Sequence, residues 1–187
     1  MKNIIFCGVG GQGVILASKV LMETAKAEGF DVKESEVHGM AQRGGSVNCN
    51  VRFGEKVFSP IIPKNGADFI VSFELLESIR MMPFISDEGM LIVNNFKIDP
   101  VPVQNGAMTY PANIPDWLEK NIRKLEMVDT DGILSEIGNR KALNIIMLGF
   151  LSRHLPFREE NWMKSIETHV KPKFVDLNKT AFQLTRK

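Results

Sequence analysis

A chain of 187 residues, 44% hydrophobic and 24% charged, is long enough to bury a core and ordinary enough in composition to fold as one domain, residues 1–187. Its net charge of +1 gives no general attraction to nucleic acid or to anionic membranes. Two cysteines, Cys7 and Cys49, cannot supply the four thiolates of an iron–sulfur cluster and lack the spacing of a zinc site, so both read as buried structural thiols.

The start, MKNIIFCG, is too short an apolar stretch for a signal peptide. ALNIIMLGFL, Ala142 to Leu151, is too short to span a bilayer, which leads us to expect a cytoplasmic chain. The C-terminal 35 residues are basic, with eight Lys or Arg against four Asp or Glu in residues 153–187, as a solvated helical face or as a surface for an acidic partner.

Asn3–Gly8 is a short apolar run ending in glycine and predicts a buried parallel strand. A largely buried helix follows from about Gly13 to Glu28, ended by Gly29, and Phe30–Gly39 predicts a second strand. This β-α-β beginning argues for a parallel sheet. Ser46–Phe53 alternates, with Val47, Cys49, Val51 and Phe53 on one side. Gly54-Glu55 suits a two-residue turn into KVF, which would make this segment an inserted hairpin.

Ala67–Phe73 reads as a buried strand, Glu74–Met82 as a short helix ended by Pro83, and Gly89–Asn95 as the next strand. Prolines punctuate a loop-rich stretch around a short strand near Met108–Tyr110. Pro115 and Asp116 open a helix carrying Trp117, Leu118 and Ile122, and Leu125–Asp131 is the last expected strand. Asn139 caps an apolar helix to about His154, and helices at Arg158–Val170 and Lys173–Thr185 close the chain. The predicted class is α/β: a Rossmann-like, mostly parallel sheet flanked by helices, with an inserted β-hairpin and C-terminal helices. The Met-rich Arg80–Phe84 and the Trp162–Met163 region offer adaptable apolar contacts, either in the core or for self-association as a homodimer.

Gly8, Gly10 and Gly13 fit G-x-G-x-x-G between a strand and a helix. Gly8 would permit the tight turn, Gly10 the approach of an anion to the backbone, and Gly13 close packing of helix on sheet. Glu34 and Glu36 stand where a dinucleotide fold places its ribose-binding acid. Gly11 makes the loop barer than such a fold requires, and Gln12 adds an amide that donates and accepts. The plainer alternative is that the glycines only permit close packing, with no ligand.

The second motif is EVHGMAQRGGSV, Glu36 to Val47. After a parallel strand it emerges on the same sheet edge as the first loop. His38, Gln42 and Arg43 are its polar groups, and Gly44 helps to shape it. Arg43 beside a helix N-terminus makes an anion pocket. The plainer alternatives are a backbone hydrogen bond for His38, an ion pair with Glu36 for Arg43, and a simple turn for Gly44-Gly45.

GVGGQGVILASKVL followed by EVHGMAQRGGSV resembles the gamma-type subunit of 2-oxoacid:ferredoxin oxidoreductases, nearest to the small subunit of the indolepyruvate enzymes. The likeness extends through ADFIVSFELLESIR to the C-terminal helices. The resemblance implies a subunit that holds no cofactor alone. Thiamine diphosphate, Mg and [4Fe-4S] clusters would sit on a large partner chain, electrons would pass to ferredoxin, and coenzyme A would be the co-substrate. The sequence agrees, since no G-D-G segment precedes Asn94-Asn95 as a thiamine diphosphate signature requires. The candidate site is then Gly8, Gly10, Gly11, Gln12, Gly13, His38, Gln42, Arg43 and Gly44, lining a cleft for coenzyme A or a partner-held cofactor, with no residue here catalytic. The competing readings are a stand-alone NAD- or flavin-dependent oxidoreductase and a regulatory nucleotide-binding module.

Overall fold

The computed structural model describes residues 1–39 and 45–187, and of His38 the backbone alone. Among these residues, β1 (Lys2–Val9), β2 (Asp31–His38), β3 (Ser46–Gly54), β4 (Ala67–Ser72), β5 (Ile85–Asn94) and β6 (Leu125–Val128) form one sheet in the order β2-β3-β1-β4-β5-β6. β1, β4, β5 and β6 are mutually parallel neighbours. β3 is antiparallel to both β1 and β2. β2 therefore points the same way as β1, as the β-α-β reading requires, but β3 lies between them.

Helices cover both faces. α1 (Val14–Ala27), α6 (Leu143–Ser152), α7 (Glu159–His169) and α8 (Val175–Arg186) contribute to one core with Ile4, Phe6 and Cys49. α2 (Leu75–Met81) and α4 (Ile114–Asn121) pack on the other face against Ile5, Cys7 and Ile70. β1 thus buries alternate side chains in opposite cores, which explains its unbroken apolar run. β3 buries Val47, Cys49, Val51 and Phe53 on one face, as its alternation predicts, while its other face is half-buried.

Three local expectations change. KVF forms no strand, because β1 and β2 already occupy both edges of β3. The inserted hairpin is instead β2–β3, with its connection at residues 39–45. Arg52 holds the chain after β3 by donating to Ser59 O and Ile61 O, both at 2.9 Å, and Asp31 Oδ2 accepts from Val57 N–H at 2.8 Å. No strand forms at Met108–Tyr110, where the chain turns after the one-turn α3 (Val101–Gln104). The strand at Leu125 stops at Val128, because Asp129 caps α5 (Thr130–Ile137) by accepting from Asp131 N–H at 3.1 Å. Asn139 caps a single 3-10 turn, Arg140–Ala142, that leads into α6. Trp162 is fully buried, and Met81, Met82 and Phe84 pack against the second core.

α6 and α8 touch through Gly149. A Cβ there would stand 1.8 Å from Thr185 Oγ1 and 3.1 Å from Phe182 O. Gly149→Ala must push the helices apart, at a cost of about 1–3 kcal/mol. Its melting temperature should fall, and adding Thr185→Ala should recover part of the loss. An unchanged melting temperature would show that the two helices do not need this contact.

Candidate functional site

The glycine loop joins β1 to α1 at the carboxyl edge of the sheet, where α/β folds bind ligands. Gly13 is the left-handed N-cap of α1 (φ 83°), a conformation that side chains rarely adopt. The N–H groups of Val14, Ile15 and Leu16 precede the first helical bond, from Ala17 N–H to Gly13 O at 3.0 Å. No side chain caps them and no acid sits in the first turn, so the positive end of the helix faces outward.

Gln12 spans the loop. Its Oε1 accepts from Val9 N–H at 2.7 Å, and its Nε2 donates to Phe73 O at 2.9 Å. Asn94 Nδ2 also donates to Phe73 O, at 3.3 Å, and Asn94 Oδ1 accepts from Thr130 Oγ1 at 2.9 Å. The carboxyl ends of β1, β4, β5 and β6 are thereby stitched in sequence. The role expected of Gln12 as a ligand-facing amide changes accordingly, because both of its polar atoms are engaged by backbone. Gly8 lies within β1, and its lack of a side chain admits this brace: a Cβ there would meet Gln12 Oε1 at 2.8 Å and Phe73 Cβ at 2.9 Å. Gly10 also differs from expectation. Its N–H donates to Gly45 O at 2.8 Å, so it is not free for an anion.

That bond brings the two motifs together, since Gly45 closes the second one. Gly39 N–H donates to Ser46 O at 2.8 Å on the other side of the same connection. Gln42, Arg43 and Gly44 lie outside the described residues, as does the His38 side chain. The dinucleotide reading loses its acid. Two strand spacings, about 9–10 Å, separate β2 from β1. Glu34 accepts from Ser18, and Glu36 pairs with Lys19 at 3.7 Å.

Two clefts flank the loop. One, of about 470 Å³, lies on the β3 side and includes Gly10, Lys19 and Val47. The other, of about 480 Å³, lies above β5 between α1, α5 and α6 and is lined by Gly13, Asn94, Thr130, Arg140, Lys141 and Asn144 among others. The sequence reading missed this second wall. The available signals were two asparagines ending an apolar strand and the Arg140-Lys141 pair behind a capping Asn139. Behind the loop, Glu77 is buried with its Oε2 accepting from Ser46 Oγ at 2.5 Å and its Oε1 2.8 Å from Arg80 Nη1. Burial raises its pKa above the ordinary 4.5, against the opposing effects of Ser46 and Arg80. Burial also pushes the thiols of Cys7 and Cys49 up to about 12 each.

Gln12→Ala should destabilise the chain by about 1–3 kcal/mol, because it strands Val9 N–H and takes from Phe73 O the shorter of its two side-chain donors, leaving only Asn94 at 3.3 Å. Gln12→Glu should recover only part, since it restores an acceptor for Val9 but no donor for Phe73. Urea unfolding checks both, and wild-type stability in both would show that the brace is idle. Glu77 binds its proton more tightly folded than unfolded. Its contribution is therefore full below the unfolded value and is lost as pH rises from about 4.5 through the raised folded value. Glu77→Gln should flatten the stability–pH curve over that window, and equal slopes for the two proteins would refute the assignment.

The family described as pyruvate ferredoxin/flavodoxin oxidoreductase matches residues 3–187. The indolepyruvate oxidoreductase subunit IorB of Thermococcus kodakarensis is 38% identical over 97% of this chain and 93% of its own. The crystal structure of pyruvate oxidoreductase subunit PORC from Thermotoga maritima superposes with a TM-score of 0.72 at 25% identity, covering 99% of this chain and 94% of its own. A 2-oxoglutarate:ferredoxin oxidoreductase from Magnetococcus marinus, solved with 2-oxoglutarate, coenzyme A and succinyl-CoA bound, shares the fold over 99% of this chain and 30% of its own, with a TM-score of 0.73 at 14% identity. The chain belongs to the pyruvate ferredoxin/flavodoxin oxidoreductase family, as a subunit of a 2-oxoacid:ferredoxin oxidoreductase.

Proposed function

We propose that this chain is the small subunit of an indolepyruvate-type enzyme. The enzyme decarboxylates an aryl 2-oxoacid, releases CO2, transfers the acyl group to coenzyme A and passes the electron pair to ferredoxin. The observation that carries the reading is the 38% identity to an indolepyruvate subunit along almost the whole chain, against 25% to a pyruvate subunit. Thiamine diphosphate, Mg and the [4Fe-4S] clusters belong on a large partner chain. The donor set here supports that division, because Cys7 and Cys49 are buried in opposite cores. Cluster ligation needs four thiolates converging on one site, and two thiols on opposite faces of the sheet cannot converge.

Within the complex this chain supplies one wall of a phosphate-binding cleft at the subunit boundary. The α1 N-terminus gives oriented N–H groups, and Arg43 of the second motif would add a permanent positive charge. The phosphate belongs to coenzyme A or to a partner-held cofactor. The coenzyme A and acyl-CoA in the Magnetococcus marinus neighbour favour the former.

Coexpression with the large chain should give a complex that reduces ferredoxin with indolepyruvate and coenzyme A, while either chain alone gives none. Turnover by this chain alone, or a complex that prefers pyruvate, would overturn the reading. In the complex, Arg43→Ala should raise the KM for coenzyme A about ten- to a hundredfold, the loss of one charge-assisted contact. Its melting temperature should hold. A lower melting temperature with unchanged coenzyme A kinetics would make Arg43 a structural ion-pair residue.

A further inference from the structure

The tripeptide Asn-Gly-Ala occurs twice, at residues 65–67 and 105–107. An asparagine followed by glycine can lose its side-chain amide, because a residue without a Cβ leaves its backbone nitrogen free to reach the asparagine Cγ. The two copies share this local chemistry, and the fold puts them in different settings.

Asn65 is held from outside its own turn. Its N–H donates to Pro83 O at 3.1 Å, and Gly66 O accepts from Asn3 Nδ2 at 2.8 Å. Gly66 N–H donates to Pro63 O at 3.1 Å, and a Cβ on Gly66 would meet Pro63 at 2.9 Å. Ala67 then opens β4 and is fully buried. Swinging Gly66 N toward Asn65 Cγ would pull on β4 and break the tethers to Asn3 and Pro83.

Asn105 is held only from within its own loop. It is the C-cap of the one-turn α3, and both it and Gly106 are exposed. Its N–H donates to Val101 O at 3.0 Å, and Gly106 N–H donates to Val103 O at 3.1 Å. Gly106 is left-handed (φ 75°), and a Cβ there would meet nothing within 4 Å. A single helical turn bonded only to itself opens easily. Asn105 Oδ1 also accepts from Ala107 N–H at 3.1 Å. A donor on that oxygen stabilises the charge that develops there when Cγ is attacked.

We infer that Asn105 is a deamidation site of the folded chain and that the fold shields Asn65. Gly106 N gives up its proton to solvent base and bonds to Asn105 Cγ. The Cγ–Nδ2 bond breaks, and the nitrogen leaves as ammonia with a proton from solvent, closing a cyclic imide. Water then opens the imide at either carbonyl, leaving aspartate or isoaspartate at position 105. The sum is one water taken up and one ammonia released, with no oxidant or reductant. Either product puts a carboxylate on this loop, and isoaspartate also lengthens its main chain by one methylene.

The full chain is incubated at mildly alkaline pH, folded and in urea, and the exchange of NH2 for OH at each asparagine is followed by peptide mass spectrometry. In urea the two Asn-Gly pairs should react at similar rates. In the folded chain Asn105 should lead Asn65 by about tenfold or more, because two hydrogen bonds from elsewhere in the fold must break at Asn65 and none at Asn105. Isoaspartate should appear at position 105 beside aspartate. Asn105→Gln should abolish the change there and leave the rate at Asn65 as it was. Equal rates in the folded chain, a faster Asn65, or an Asn105 that reacts in urea but not when folded would each overturn the inference. A lead that persists undiminished in urea would assign it to the neighbouring sequence and overturn the role of the fold.

Discussion

The carbonyl oxygen of Phe73 accepts from Gln12 and from Asn94, and that shared acceptor organises the carboxyl edge of the sheet. Parallel strands are bonded along their lengths, but where they end their backbone groups lose partners. Here side chains continue the bonding for one more layer, from Val9 through Gln12, Phe73 and Asn94 to Thr130. Gly8 must lack a side chain for Gln12 to fold back. The glycine loop is thus a fixed surface that needs little further ordering on any contact it makes.

The pairing of β1 with β3 sets the other boundary. It runs without a break from Lys2–Phe53 to Val9–Ser46. The register leaves Gly10 opposite Gly45, and their hydrogen bond ties the second motif to the first. It also sets Ser46 within reach of Glu77, so an acid from α2 on the far side of β1 holds the base of the hairpin. A buried carboxyl in that position is costly unless hydrogen-bonded, and Ser46 and Arg80 supply the bonds.

Element types were legible wherever one periodicity dominated. The apolar runs at β1, β4 and β5 gave strands, and the alternation of β3 named its buried face correctly. What failed was pairing. Nothing local in Ser46–Phe53 says that its partners are β1 and β2 and not the next three residues, because pairing is decided by long-range contacts. The helix at Thr130 was hidden because Val128 completes an apolar run and Asp129 reads equally as the end of a strand or as a cap. The site was half legible. Glycines carry a conformational signature and the loop was found from it, but Asn94, Thr130 and Asn144 are ordinary polar residues until three separate segments converge. Gln12 was recognised, yet its engagement with Val9 and Phe73 depends on β4, which lies sixty residues away in the chain.

The opposition between dinucleotide fold and oxidoreductase subunit resolves at β3. A strand–glycine turn–helix unit supplies an anion-friendly helix end on whatever sheet it is built into. Recognition of a dinucleotide needs in addition an acid at the end of the neighbouring strand. Inserting an antiparallel strand beside β1 removes that acid from reach, and Ser18 and Lys19 engage the carboxylates of Glu34 and Glu36 instead. The uncapped helix end survives and the ribose-binding acid does not. Among the described residues, that helix end opens onto the two clefts that flank the glycine loop.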